Sequence, residues 1–338
     1  MAMAKTDDRG LAPALMGDGR PLLTLTGLSL GLSGIFACFQ SATGQFLPHD
    51  ATFLGMTAQE LCAMHECRIV HFMIHDRVAF GGALIAIGAL YVWLAEFPLR
   101  QRQAWAWWVP ACSGLIGFAS FLAYLGYGYL DTWHGAATLA LFPCFLLGIG
   151  RSFGTLRGPR GIKCLLRPGA PLPWTFAYSV GRACFLAVAA GMCIGGFTIL
   201  TVGVTCVFVP QDLQFMGLSV ADLNRINPRL VPLIAHDRAG FGGGVCVSGL
   251  VLASCIWCGA PSRNLWQVLA LAGLVGFSTA IGIHPAVGYT SLTHLAPAII
   301  GAAVYLCGLL LTYRAMHAGG DTVRHVHAAG VPCLPSRT

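Results

Sequence analysis

The sequence predicts an all-α, polytopic membrane protein with eight transmembrane helices in two tandem, pseudo-symmetric four-helix bundles. Three observations predict this class: an apolar composition, unbroken apolar runs of about 20 residues or more, and an internal duplication. Hydrophobic residues make up 56% of the 338 residues and charged residues only 10%, whereas an ordinary soluble domain carries about 25% charged residues. So few charged groups could not cover a water-soluble globule of this size.

The same composition excludes several other classes. A disordered chain has low hydrophobicity, and a disulfide-rich secreted module is small. A transmembrane β-barrel alternates apolar and polar residues over roughly 10-residue strands, and this chain does not. The formal net charge of +7 reflects basic residues that set the orientation of the chain in the membrane. It is not the sign of a nucleic-acid-binding surface, so we expect no nucleic-acid partner. Residues 1–21 contain no apolar core followed by a cleavage site, and we expect no cleaved signal peptide.

Eight apolar spans can be drawn along the chain. They cover residues 22–46, 69–96, 107–129, 133–154, 182–208, 231–258, 265–284 and 292–313. We therefore divide the chain into two tails, two membrane repeats and a basic linker: 1–21, 22–154, 155–181, 182–313 and 314–338.

The basic residues set the expected orientation. Of the 20 Lys and Arg residues, 15 lie in the tails, at span ends or in the connections 97–106, 155–181 and 259–264, all on one side. Cytoplasmic loops carry the excess of basic residues, so this side, with both termini, is expected in the cytoplasm. The predicted location is the inner membrane of a bacterium.

The second half of the chain repeats the first, which is typical of a tandem duplication. The matched segments are Phe46–Asp50 with Phe208–Asp212, His75-Asp76-Arg77 with His236-Asp237-Arg238, and Tyr129 to His134 with Tyr289 to His294. Each half has four spans, an even number, so the two halves share one orientation.

Four histidines recur in this duplication. His75 and His134 lie near the outer ends of the second and fourth spans, and His236 and His294 repeat them. The two spans of a pair run in the same direction, so their histidines lie at a similar depth. Ionisable residues inside spans are costly. We therefore predict that each bundle presents two imidazoles to one bound group.

Haem fits that prediction, because two imidazoles are standard axial ligands. Gly82 and Gly243 lie two turns after His75 and His236 on the same helical face and leave room for a flat ligand. Arg77 and Arg238 are candidates for pairing with haem propionates. Asp76 and Asp237 could hold those arginines or orient an imidazole N–H. The four histidines are the predicted metal ligands.

Other interpretations stay open at this stage. Small residues in membrane helices also serve close packing, and a histidine can hydrogen-bond a neighbouring helix. His71 lies one turn before His75 without a repeat partner, and it is the candidate acid–base residue. Cys62 and Cys67 lie in the first outer loop, where an oxidising compartment would permit a disulfide.

Eight spans in two like-oriented bundles, with a histidine pair on the second and fourth helix of each, resemble the haem A synthase family. The resemblance is architectural and covers residues 22–313; in that family the Arg directly follows the His, whereas Asp76 and Asp237 intervene here. It implies one haem as electron carrier and one as substrate, with haem O oxidised to haem A. The segments HDRVAFGG and LGYGYLDTWHG also look like an uncharacterised bacterial membrane family.

Three functions remain open from the sequence. The first is a haem-binding membrane oxidoreductase similar to haem A synthase. The second is a b-type cytochrome that passes electrons from a quinol. The third is a transporter or scaffold without haem, braced by the two His-Asp-Arg motifs. The expected partners are membrane lipid and a quinone or another redox partner.

Overall fold

The computed structural model describes residues 10–120, 128–129, 132–169 and 176–328, with side chains to residue 318. These residues form an all-α structure without strands. The long helices are α2 (Arg20–Ala42), α5 (Arg68–Glu96), α7 (Thr132–Phe153), α8 (Phe176–Val204), α11 (Leu230–Cys258), α12 (Arg263–Val287) and α13 (Leu292–Ala328). A shorter helix of 17 residues, α6 (Ala104–Ser120), lies between α5 and α7.

Seven of the described helices are long and apolar enough to cross a membrane, which indicates an integral membrane protein. They are all of the helices just given except α6. The predicted third span, 107–129, coincides with α6 as far as Ser120, and most of its remainder lies outside the described residues. Large apolar side chains such as Leu28, Leu32 and Phe39 of α2 are exposed, as expected of a surface that faces lipid tails.

Short helices lie between the long ones in both halves and follow the duplication: α3 (Pro48–Leu54) and α4 (Ala58–Met64) in the first, and α9 (Pro210–Met216) and α10 (Val220–Ile226) in the second. Outside this repeat, α1 (Leu11–Met16) precedes α2, and a 3₁₀ turn spans Ile162–Leu166. Both α3 and α9 begin with proline, whose fixed φ suits the first turn. Both α4 and α10 begin with a capping box, built by Thr57 with Glu60 and by Ser219 with Asp222.

The helices α5 and α11 occupy the centre of the structure and are buried along most of their length. Each packs along the first helix of its own half, α5 on α2 and α11 on α8. Glycines permit this contact: a Cβ on Gly34 would lie 3.0 Å or less from α5 atoms, and one on Gly242 would meet the backbone of α8. Small residues let membrane helices approach closely in this way.

The halves interlock, and they do not form two self-contained bundles. Helix α5 packs extensively on α12 of the other half and barely on α6 of its own, while α11 packs on α6. The helices α5 and α11 also contact each other. Each half therefore contributes to both sides of the structure.

Four of these short helices, α3, α4, α9 and α10, cover the N-terminal ends of α5 and α11. An apolar core under this cover contains Phe72, Met216, Leu223 and Tyr289, all almost fully buried. The outer segments of the two halves are joined by hydrogen bonds, such as that from Asn227 Nδ2 to the Leu54 carbonyl oxygen, at 2.8 Å. Cys62 and Cys67 form a disulfide in the first outer segment.

Candidate metal centre

Three histidines converge beneath the outer cover. His75 is on α5, His284 is on the last turn of α12 and His294 is on the first turn of α13. Their nearest ligand nitrogens all lie within 4.8 Å of one another. The Nε2 atoms of His75 and His284 are 3.2 Å apart. Both of these side chains are buried, and His294 is half-buried. We call these three residues the triple-histidine cluster.

A carboxylate orients the first ring. Asp76 Oδ1 lies 2.9 Å from His75 Nδ1, and because a carboxylate only accepts hydrogen bonds, Nδ1–H is the donor. The lone pair of His75 is then on Nε2, which faces Nε2 of His284. Two such nitrogens approach each other only when one carries a proton or when a cation lies between them. A carboxylate behind an imidazole is also the usual outer-shell partner of a metal-binding histidine.

A tyrosine orients the third ring. Tyr289 donates its hydroxyl proton to Asp212 Oδ1 at 2.9 Å, and burial and the neighbouring carboxylate raise the pKa of this hydroxyl, so that it stays protonated. The Tyr289 oxygen lies 3.4 Å from His294 Nδ1 and can accept from its N–H. Nε2 of His294 is then left with its lone pair. The Tyr289 ring also stacks on His294, with ring centroids 4.5 Å apart.

The two His-Asp-Arg motifs pair across the α5–α11 contact. Arg77 donates to Asp237 of the other half at 2.8 Å and to Asp50 of its own half at 2.9 Å. In the matching arrangement Arg238 lies 3.7 Å from Asp76 and donates to Asp212.

These partners explain the burial of both arginines, because a buried charge requires compensation by partners. Asp50 also accepts a hydrogen bond from Tyr129, as Asp212 does from Tyr289. The predicted propionate-binding arginines thus hold carboxylates in this structure.

A second cluster repeats the first with the halves exchanged. His134 Nδ1 of α7 lies 3.2 Å from His236 Nε2 of α11, and the edge of the Tyr129 ring contacts His236. His236 Nε2 lies 4.0 Å from Asp237, whereas His75 contacts Asp76 through Nδ1, at 2.9 Å. The sequence position that matches His284 is Tyr124, which lies outside the described residues.

The predicted pairs are therefore not the ones that the structure brings together. We expected His75 with His134 and His236 with His294, whereas His75 lies with His294 and His236 with His134. The reason is the interlock of the halves, which brings the end of α12 and the start of α13 to α5. The positions of the four histidines in the spans predicted their common depth. They did not predict which helix would lie next to each histidine.

The separation of the His75 and His284 nitrogens fits a compact ion better than the two faces of a haem. A tetrahedral ion about 2.0–2.1 Å from each nitrogen separates two ligand atoms by roughly 3.3 Å, close to the observed 3.2 Å. Two axial ligands on opposite sides of an iron are roughly 4 Å apart, with the porphyrin between them. The room expected beside Gly82 is also filled, because a Cβ there would overlap Thr279 of α12. Gly243 is buried within α11.

His71 lies outside the cluster. It is half-buried on α5, one turn before His75, and its ring is not among the three that converge. The sequence prediction rests on histidines that recur in the two halves, so it does not include His284, whose matching position is Tyr124. A buried histidine at the end of an apolar span was the signal that could have identified it, since such residues are costly unless they have a role.

Three neutral imidazoles can hold Zn²⁺, copper, iron or nickel. The described ligands would leave room in the coordination shell for a water or a small substrate, as three-histidine sites do elsewhere. Comparison with protein-family models, with curated proteins and with solved structures gives no match to this chain.

Proposed function

We propose that the chain is an integral membrane metalloprotein of the oxidoreductase class, in which the triple-histidine cluster binds one copper or iron ion. The observation that carries the proposal is the convergence of His75, His284 and His294, with ligand nitrogens within 4.8 Å of one another. Histidines that serve only helix packing have no need to point their nitrogens at a common centre.

The surroundings of the cluster support a redox role. Its ligands are imidazoles in a largely buried site, and Asp76 and Tyr289 fix the rotation of two rings. A hydrophobic shell and outer hydrogen bonds set the potential of a bound metal. A ligand set held in this way changes little when the ion gains or loses an electron, which suits electron transfer.

A haem-dependent oxidoreductase similar to haem A synthase is the second candidate. It is favoured by the presence of two histidine clusters at corresponding places in the halves. A quinone or another redox partner would exchange electrons with either centre. In both cases we propose eight spans and a bacterial inner membrane, with both termini in the cytoplasm, as the distribution of basic residues favours.

Metal analysis of the detergent-purified protein tests the proposal. We expect about one copper or iron per chain after expression with supplied metal, and its loss in His294→Ala. His317→Ala is the matched control, because His317 lies on the same helix and is exposed. An absorption spectrum of the same sample separates the candidates, since only haem gives an intense Soret band. Metal content equal in wild type and His294→Ala would overturn the proposal, as would no uptake by wild type.

A further inference from the structure

A cavity of about 720 Å³ lies at the opposite end of the molecule from the histidines. Its walls come from the start of α6, the connection 155–169 and the end of α11. This volume is in the range of sites that bind small molecules, roughly 300–1,000 Å³. The cavity is separate from the metal centre and shares no residue with it.

The lining combines positive charge with apolar surface. Arg157, Lys163 and Arg167 line the cavity, and its described lining residues include no Asp or Glu. All three basic side chains are exposed at its edge. The apolar part of the lining includes Trp105 and Cys258, both buried. A ligand that matches both parts carries negative charge at one end and hydrocarbon at the other.

Three tryptophans show the depth at which the cavity lies. Trp105, Trp107 and Trp108 begin α6, and their indole N–H groups donate to Gln103 Oε1, the Ile149 carbonyl oxygen and the Arg160 carbonyl oxygen. Tryptophan is enriched where a membrane protein meets the lipid headgroups. The cavity beside Trp105 therefore opens at the level of the headgroups.

We propose that this cavity binds the headgroup of an anionic phospholipid. Its phosphate lies among Arg157, Lys163 and Arg167, and its acyl chains run past Trp105 into the bilayer. Basic pockets of membrane proteins recognise anionic lipid headgroups through this chemistry. The segment 155–169 is part of the connection between the two halves of the chain, so the bound lipid would stabilise this connection.

Native mass spectrometry of the protein released from nanodiscs tests this. One nanodisc preparation contains phosphatidylglycerol with phosphatidylcholine, and the other contains phosphatidylcholine alone. We expect the wild-type protein to retain phosphatidylglycerol in preference to phosphatidylcholine. In the variant Arg157→Gln/Lys163→Gln/Arg167→Gln this preference should fall by about fivefold for each charge removed. Arg263→Gln is the matched control, because Arg263 is an exposed arginine on the same side, outside the lining.

Two further arms make the result decisive. The variant Arg157→Lys/Arg167→Lys keeps the charges and should keep the lipid, which separates lost charge from lost folding. Millimolar inorganic phosphate should not displace phosphatidylglycerol, because it lacks the acyl chains. Equal lipid retention by wild type and the glutamine variant, or displacement by free phosphate, would overturn the proposal. Metal content should be the same in all these proteins, so the outcome does not depend on the histidine cluster.

Discussion

His75 and His284 come from opposite halves of the chain, and their Nε2 atoms lie 3.2 Å apart in a buried site. Asp76 holds the proton of His75 on Nδ1, so the contact requires a shared proton or a shared cation. The first two predictions separate these two cases, a hydrogen-bonded pair of rings and an ion-binding site.

The first prediction concerns His284, where the matching position of the other half has tyrosine. Loss of a residue behind a metal ligand costs about 10–100-fold in affinity, and loss of a ligand itself should cost more. His284→Tyr should therefore lower metal affinity by more than about 100-fold. The measurement is titration of the metal-free protein with Cu²⁺, followed by absorption. His71→Ala is the control, since its ring lies outside the cluster, and it should bind as wild type does. Equal affinities of wild type and His284→Tyr would contradict the ligand assignment.

The second prediction is that metal affinity falls on acidification. Each imidazole must be neutral to bind the ion, so binding releases protons and lower pH favours the metal-free state. We expect affinity to fall as the pH is lowered from neutral and to recover when the pH is raised again. Competition with a chelator of known affinity at each pH provides the measurement. A profile that stays flat down to the pH at which the protein unfolds would exclude imidazole ligands.

The third prediction concerns the ion pairs between the halves. Arg77→Gln removes the partner of both Asp237 and Asp50, and breaking such a buried pair costs about 3–5 kcal/mol. Arg225→Gln breaks an exposed pair with Asp222 and should cost about 0–1 kcal/mol. Thermal unfolding in detergent compares the two variants. Equal losses would mean that the crossed pairs do not stabilise the contact of the halves.

The fourth prediction concerns the contact of α5 with α12. Gly82→Ala places a methyl group against Thr279, and overpacking of this kind costs about 1–3 kcal/mol. Gly276→Ala, on α12 where a Cβ would meet nothing within 4 Å, is the control and should be tolerated. The double variant Gly82→Ala/Thr279→Gly should recover much of the loss. Without that recovery, the loss would not come from this contact.

The fifth prediction concerns topology. Reporters fused after Arg102 or Lys163 should report the cytoplasm, and reporters near Ala58 or Val220 should report the outside. The reason is the excess of basic residues on the first side. Arg102 and Lys163 lie in connections at one end of the long helices, and Ala58 and Val220 begin short helices at the other end. The opposite pattern would place the triple-histidine cluster at the cytoplasmic face.

The two central helices follow from the sequence almost to the residue. The second and sixth spans were predicted at 69–96 and 231–258, and the helices are Arg68–Glu96 and Leu230–Cys258. Apolar runs determine such helices because a backbone in lipid must satisfy its own hydrogen bonds. The pairing of helices instead depends on contacts between residues far apart in the sequence. The approach of Gly82 to Thr279 is one example, and local patterns do not record it.

The candidate site was predictable in part for the same reason. Two histidines of the cluster, His75 and His294, have the repeat partners His236 and His134, and the positions in the spans put these four residues at one level. His284 has no histidine partner in the repeat, so the repeat does not reveal the third member of the cluster. Asp237 and Asp76 were among the expected partners of the two arginines, and they lie beside Arg77 and Arg238, each from the opposite half. The second carboxylates, Asp50 and Asp212, were not expected, because they come from the short helices that precede α5 and α11.

The interlocked halves also bear on how such a site could have arisen. Each cluster takes one histidine from the second helix of one half and its companions from the other half. A single four-helix unit, expressed alone, would complete neither cluster, but two identical units side by side would build two equal ones. Fusion of the two copies into one chain would have freed them to diverge. A change at one codon, His284 against Tyr124, then alters a centre that the opposite half anchors.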